Sequence, residues 1–163
     1  MDWFNDANCS GSGDLFYLAS KESSFNDPQY RYKISSPVIC TTGKKGNKTT
    51  RFENSEYFSS KLGVPSIFFG KYIGNKISCP SSFDKEKNCL SWKGEYNTGL
   101  IESHLKDFIS IYVLCPSCDY PETNLYLDEK KFIGTLCRSC GYSNLIQAKY
   151  MDKTYDFIQK NIK

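Results

Sequence analysis

The chain has 163 residues, 39% hydrophobic and 24% charged, a globular composition with room for one domain, or two small ones if the second is stapled by something besides apolar burial. No apolar run reaches the roughly 18 residues of a spanning helix, the opening stretch lacks the basic and apolar regions of a secretory leader, and a single histidine, His104, gives hydrolase triads a thin basis. The formal net charge of +3 is uneven: residues 1–30 hold one Lys against five acidic residues, the remainder 20 basic against 13 acidic. A cationic body behind an acidic arm predicts an anionic partner.

Residues 1–26, rich in Asp, Asn, Ser and Gly, read as a mostly irregular acidic arm whose LFYL run can dock elsewhere. Residues 29–42 alternate polar and apolar side chains as a strand pair would, interrupted at Pro37, and GKKGNK at 43–48 reads as a basic hairpin loop. TTRFENSEYFSSKLGVP predicts a strand and then a short helix. Asn54 or Ser55 would cap it, Phe58 and Leu62 share a face, and Gly63 and Pro65 end it. PSIFFGKYIGN predicts a second short helix with Ile67, Phe68 and Tyr72 inward, followed by two strands, KISC and CLSWKG, around a polar loop at 80–88. From Thr98 to about Tyr112, Ile101, Leu105, Phe108 and Ile109 form one apolar stripe, with Glu102, Lys106 and Asp107 outside. His104 on this helix reads as an ordinary surface or boundary residue.

The strongest chemical signal follows. Cys115-Pro-Ser-Cys118 is separated by 18 residues from Cys137-Arg-Ser-Cys140, a spacing characteristic of paired metal knuckles. Each CxxC turn aims two sulfurs at one point, and four soft thiolates suit tetrahedral Zn²⁺. A closed four-cysteine set leaves no open position, so the predicted zinc is structural. TNLYL, KFIGTL and YSNLIQA supply three short strands of a ribbon too small to fold by apolar burial alone. Cys9, Cys40, Cys79 and Cys89 lack paired spacing. In a reducing compartment their disulfides are disfavoured, and Cys40 and Cys89 read as small core residues.

YVLCPSCDYPETNL (112–125) and CRSCGYSNL (137–145) resemble the C-terminal zinc ribbon shared by eukaryotic translation initiation factor 5 and initiation factor 2 beta, with Pro121-Glu122-Thr123 especially characteristic. DPQYRYKI (27–34), GKKGNKT (43–49) and KLGVPSIFFGKYIG (61–74) resemble the remainder of the factor 5 N-terminal domain, so the resemblance covers about residues 27–162. It implies an α+β fold: an acidic arm at 1–26, an α/β lobe with a small mixed or antiparallel sheet over 27–110, and a linker helix running into a three-stranded, four-cysteine zinc ribbon with a terminal helix over 111–163. Four features depart from the family pattern: the acidic extension, the altered Gly/Lys loop, the displaced proline at 37 and the end of the chain at Lys163. They lead to the expectation of a reduced-genome or virus-encoded homologue.

The resemblance implies a cytoplasmic, monomeric activator of a partner GTPase that is not itself an enzyme. Its partners would be initiation factor 2 (the gamma and beta subunits) with GTP, the small ribosomal subunit, and initiator tRNA or rRNA. By motif match Arg31 is the arginine finger, Lys33 supports it, and Lys44, Lys45, Lys48 and Arg51 face a partner or RNA. The residues by themselves also allow YRYK to be a strand with aromatic faces and solvated cations. Two competing functions stay open: a non-catalytic mimic of factor 5 or of the beta subunit, and a generic zinc-ribbon nucleic-acid binder. Lys44, Lys45, Lys48 and Arg51 do not interleave in sequence with an aromatic stacking platform, which argues against base-specific RNA reading by that loop.

Overall fold

The structure, a computed structural model, describes residues 8–11, 15–19 and 27–162. In chain order the elements are β1 (Asn8–Ser10), β2 (Leu15–Tyr17), β3 (Lys33–Ser35), β4 (Ile39–Thr42), β5 (Thr49–Phe52), α1 (Ser55–Leu62), α2 (Ser66–Lys76), β6 (Ser81–Asp84), β7 (Cys89–Lys93), α3 (Thr98–Tyr112), β8 (Thr123–Leu127), β9 (Ile133–Cys137), β10 (Ser143–Leu145), a 3-10 turn (Ala148–Tyr150) and α4 (Lys153–Asn161). This is an α+β chain with antiparallel pairing throughout its two larger sheets. It divides into two compact units, residues 1–15 with 35–105, and 16–34 with 106–163.

In the first unit the sheet order is β1-β4-β5-β7-β6. Alternation along β5 and β7 sends Thr50, Phe52, Leu90 and Trp92 to one face, where each is at most 1% exposed. Phe58 of α1 and Phe69 of α2 pack on that face, their ring centroids 5.2 and 6.0 Å from Phe52. Helix α1 ends as its sequence predicts, with Gly63 left-handed at φ 69° and its N–H bonded to the Ser59 carbonyl. Asn54 occupies the N-cap position but its side chain is used elsewhere: it accepts from the Val38 N–H at 2.8 Å and donates to the Ser36 carbonyl at 3.0 Å.

Several local expectations are corrected. Much of the acidic arm expected at 1–26 lies outside the described residues, and within its described part β1 and β2 are short strands. On α2 the inward residues are Phe68, Phe69, Tyr72 and Ile73, while Ile67 is exposed. The helix phase is set by Gly70 and Gly74, which turn toward the sheet side: a Cβ on Gly70 would lie 2.6 Å from Leu90 Cδ2, and one on Gly74 2.6 Å from the Cys79 carbonyl oxygen. KISC is not a strand. The strand that forms a hairpin with β7 is β6, within the predicted loop, and the intervening turn is held by Asp84, whose carboxylate accepts from the N–H groups of Glu86 and Lys87. Finally, 29–42 is not a strand pair: β3 pairs with β2, whereas β4 lies between β1 and β5. Pro37 separates two strands that join different sheets.

The cysteines outside the knuckles also differ from expectation. Cys9 and Cys40 stand directly opposite one another in the β1–β4 register and form a disulfide, with Cα atoms 4.0 Å apart. A separation of 31 residues in sequence hides a pairing that strand register makes immediate. Cys89 is a buried thiol, as its apolar context predicts.

Helix α3 follows its periodicity closely, with Ile101, Leu105, Phe108, Ile109 and Tyr112 all at most 2% exposed. The second unit contains the two-stranded β2–β3 sheet and the three-stranded sheet β10-β9-β8. One face of the latter buries Thr123, Ile133, Thr135 and Cys137. Helix α4, whose N-cap Asp152 accepts from the N–H groups of Thr154 and Tyr155, meets the start of β9, where its Tyr155 hydroxyl accepts from the Ile133 N–H at 2.9 Å. Among the described residues no helix is long and apolar enough to cross a membrane.

Candidate metal centre and the arginine beside it

The two knuckles have the same backbone. In the first, the Asp119 N–H donates to the Cys115 carbonyl at 2.9 Å and the Cys115 N–H donates to the Tyr120 carbonyl at 3.0 Å. In the second, Gly141 donates to Cys137 at 3.0 Å and Cys137 donates to Tyr142 at 2.9 Å. The residue after the second cysteine is left-handed in both, Asp119 at φ 61° and Gly141 at φ 76°. The repeated pattern Cys-x-Ser-Cys-(Asp/Gly)-Tyr thus encodes one turn twice. Gly and Asp are residues that tolerate this conformation.

These turns bring Cys115, Cys118, Cys137 and Cys140 together, with all four sulfurs within 4.8 Å of one another. The Cys115–Cys140 and Cys118–Cys137 sulfur separations are 3.6 and 3.7 Å. A tetrahedral four-sulfur site with metal–sulfur bonds of about 2.3 Å requires edges of roughly 3.8 Å, so the donor set fits one metal ion. Without a metal, the Tyr142 N–H draws the Cys140 thiol down to about 7. Burial pushes the Cys118 thiol up to about 12. The characteristic Pro121-Glu122-Thr123 trio anchors the β8 end of the first knuckle. The Thr123 hydroxyl donates to the Val113 carbonyl at 2.6 Å, and Glu122 accepts from Arg138 Nη2 of the second knuckle at 3.1 Å.

Glu122 has a second partner. It accepts the Tyr32 hydroxyl at 2.9 Å, and the Tyr32 ring meets the Tyr120 ring at 5.4 Å. Tyr30, only 6% exposed, lies edge-on to Tyr32 at 5.5 Å. The Tyr-Arg-Tyr-Lys segment is therefore fastened to the first knuckle by its tyrosines. Arg31 between them is exposed, and among the described residues it makes no ion pair. Lys33 sits over the Tyr17 ring, its ammonium 5.6 Å from the centroid. Burial raises the Tyr30 phenol well above its ordinary value, and burial together with the Glu122 hydrogen bond pushes the Tyr32 phenol up to about 12.

The other predicted cations belong to the first unit and are not equivalent. Lys48 pairs with Glu95 at 2.5 Å and Arg51 with Glu53 at 2.6 Å. Lys44 and Lys45, on the turn of the β4–β5 hairpin, are exposed. His104 is half-buried on α3. Sequence reasoning missed Tyr30, Tyr32, Tyr120 and Glu122 as parts of this arrangement. The one available signal was the tyrosine after each knuckle.

A family profile for the domain found in initiation factors 2B and 5 matches residues 22–143. The chain belongs to that family. Among curated proteins, eukaryotic translation initiation factor 5 of Mus musculus is 31% identical over 139 residues, which is 85% of this chain and 32% of that protein. The Caenorhabditis elegans factor 5 is 33% identical over 135 residues, 83% of this chain and 30% of its own. "Probable eukaryotic translation initiation factor 5-2" of Arabidopsis thaliana is 30% identical over 85% of this chain and 31% of its own length. The chain spans about a third of the length of these relatives.

Proposed function

We propose that this chain is a translation-initiation module of the factor 5 type, a cytoplasmic activator that works on a partner's nucleotide rather than an enzyme in itself. It docks on initiation factor 2 and the small ribosomal subunit and presents Arg31 to GTP held by the gamma subunit. The observation that carries this reading is the alternation in Tyr30-Arg31-Tyr32: two anchored rings hold the backbone while the guanidinium between them is left exposed. GTP hydrolysis spreads negative charge over the transferring phosphoryl oxygens. A guanidinium supplied in trans stabilises that charge, and fingers of this kind contribute about 10³–10⁵ in rate. Fixing the flanking residues beforehand reduces the ordering entropy that a mobile arm would lose on docking.

The four thiolates hold one structural zinc, which closes the ribbon and thereby holds Tyr120 and Glu122 in place to receive the tyrosine anchors. Lys44 and Lys45 are the loop cations best placed to meet a polyanionic partner, since Lys48 and Arg51 are already engaged by carboxylates.

Single-turnover GTP hydrolysis on reconstituted initiation complexes tests the proposal. The wild-type chain should accelerate hydrolysis. Arg31→Ala should lose the acceleration while still binding, and Arg31→Lys should recover little of it, because an ammonium lacks the planar fork. Equal rates with and without the arginine, at unchanged binding, would instead assign the chain to the non-catalytic mimic. Salt-sensitive binding to free RNA with no preference for initiation factor 2 would assign it to the generic nucleic-acid binders.

A further inference from the structure

Beside the first knuckle lies an open cavity of about 690 Å³ lined by Asp27, Gln29, Tyr30, Arg31, Tyr32 and Tyr120, with Ser139 at its edge. Its volume is in the range of ligand sites. The polar groups around it are unevenly satisfied. The Asp27 carboxylate accepts from the Gln29 N–H at 2.8 Å through one oxygen, and among the described residues the other oxygen has no hydrogen-bond partner. The Tyr32 hydroxyl is taken by Glu122. The Tyr30 hydroxyl, on a side chain only 6% exposed, has no hydrogen-bond partner among the described residues. That hydroxyl is closed off from solvent, so the cavity offers a ligand the exposed Arg31, Tyr120 and Asp27 instead.

The lining restricts what that ligand can be. An organic cation would use the tyrosine faces but meet the Arg31 guanidinium. A bare anion or a carboxylate peptide would satisfy Arg31, yet leave the rings idle and crowd the Asp27 carboxylate. An apolar ligand would leave the Arg31 guanidinium and the Asp27 carboxylate unused. A nucleotide uses the exposed groups: its base stacks on the Tyr120 ring, its phosphate meets Arg31, and an exocyclic amine or ribose hydroxyl donates to Asp27. The base must be free of a duplex to enter.

We infer that this cavity is a binding site for one unpaired nucleotide of single-stranded RNA. In sequence, no aromatic platform accompanies the lysines of the hairpin loop; folding builds one around Arg31 instead, by bringing Tyr120 to Tyr32. The site goes beyond the proposed GTPase activation. It shares Arg31 with that reading but requires no GTPase.

Fluorescence anisotropy of the full chain with a short labelled oligouridine tests the inference in the absence of any initiation factor, so its outcome is independent of hydrolysis assays. Tyr120→Ala should weaken binding about tenfold. Arg31→Ala should weaken it and flatten the salt dependence by about one phosphate contact, roughly 0.7 in log–log slope. Circular dichroism and metal content establish that each variant is folded. The inference is overturned if the two folded variants bind the oligonucleotide like wild type, with affinity lost only in a Lys44→Ala, Lys45→Ala chain. It is also overturned if a glutamate-rich peptide displaces the oligonucleotide as well as unlabelled oligouridine does.

Discussion

Left-handed backbone at one residue per knuckle is what lets each Cys-x-Ser-Cys turn close, and the two knuckles solve it with different residues. Gly141 adopts φ 76° without a Cβ, so Gly141→Val should cost about 1–2 kcal/mol. Equilibrium denaturation of the metal-loaded chain measures this. At Asp119 the same backbone is held by a residue that tolerates it, and Asp119 is itself buried. The Tyr32–Glu122 hydrogen bond has a pH signature with a definite sign. Burial first, and Glu122 second, raise the Tyr32 phenol from 10.0 to about 12. The folded state then holds the proton more tightly than the unfolded state. The stabilisation is complete below the unfolded value and is lost as pH rises from 10.0 toward about 12. Denaturation at a series of alkaline pH values should show wild type losing more stability across that window than Tyr32→Phe, which has no phenolic proton to release there.

Strand register and helix phase make a second set of decisions. Helix α2 approaches β7 closely because Gly70 and Gly74 carry no side chain. At Gly74 the added Cβ would meet a backbone carbonyl 2.6 Å away rather than a movable side-chain tip. Gly74→Ala should therefore destabilise by about 1–3 kcal/mol even though alanine favours helix by up to about 1 kcal/mol. Thermal unfolding followed by circular dichroism reads the net sign. The edge strand β1 is tied to β4 by Cys9–Cys40. Alkylation of the denatured, unreduced and metal-free chain should label the six cysteines outside that bridge, and prior reduction should expose all eight. Labelling of all eight without reduction would refute the bridge.

At the scale of the whole chain, each compact unit has its own core, and the metal-ligand set lies entirely in the second. Chelation should therefore unfold selectively. With zinc removed, backbone amide resonances of residues 123–145 should collapse toward random-coil dispersion, while those of β4, β5 and β7 stay dispersed. Metal analysis should find one zinc per chain, lost in Cys118→Ser. Loss of both units together on chelation would show that the metal stabilises the whole fold. Because Tyr30 and Tyr32 rest on the first knuckle, chelation should also release the Arg31 segment, so the proposed hydrolysis stimulation and oligouridine binding should both fall when the metal is removed.

Local physics made much of this legible before any coordinates. Two residues between cysteines dictate a turn, a four-residue apolar period dictates the α3 stripe, and Gly63 followed by Pro65 dictates where α1 stops. Each depends only on neighbours within a few positions. What the tertiary structure alone decided depends on residues far apart in the chain: Cys9 facing Cys40, Lys48 held by Glu95, and Tyr32 reaching Glu122 across 90 positions. The sequence reading set Tyr-Arg-Tyr-Lys at the head of the N-terminal lobe, and folding grouped it with the ribbon. No periodicity records which surface a short extended segment will cover. That choice is made by burial of the Tyr30 ring and by one hydroxyl finding one carboxylate.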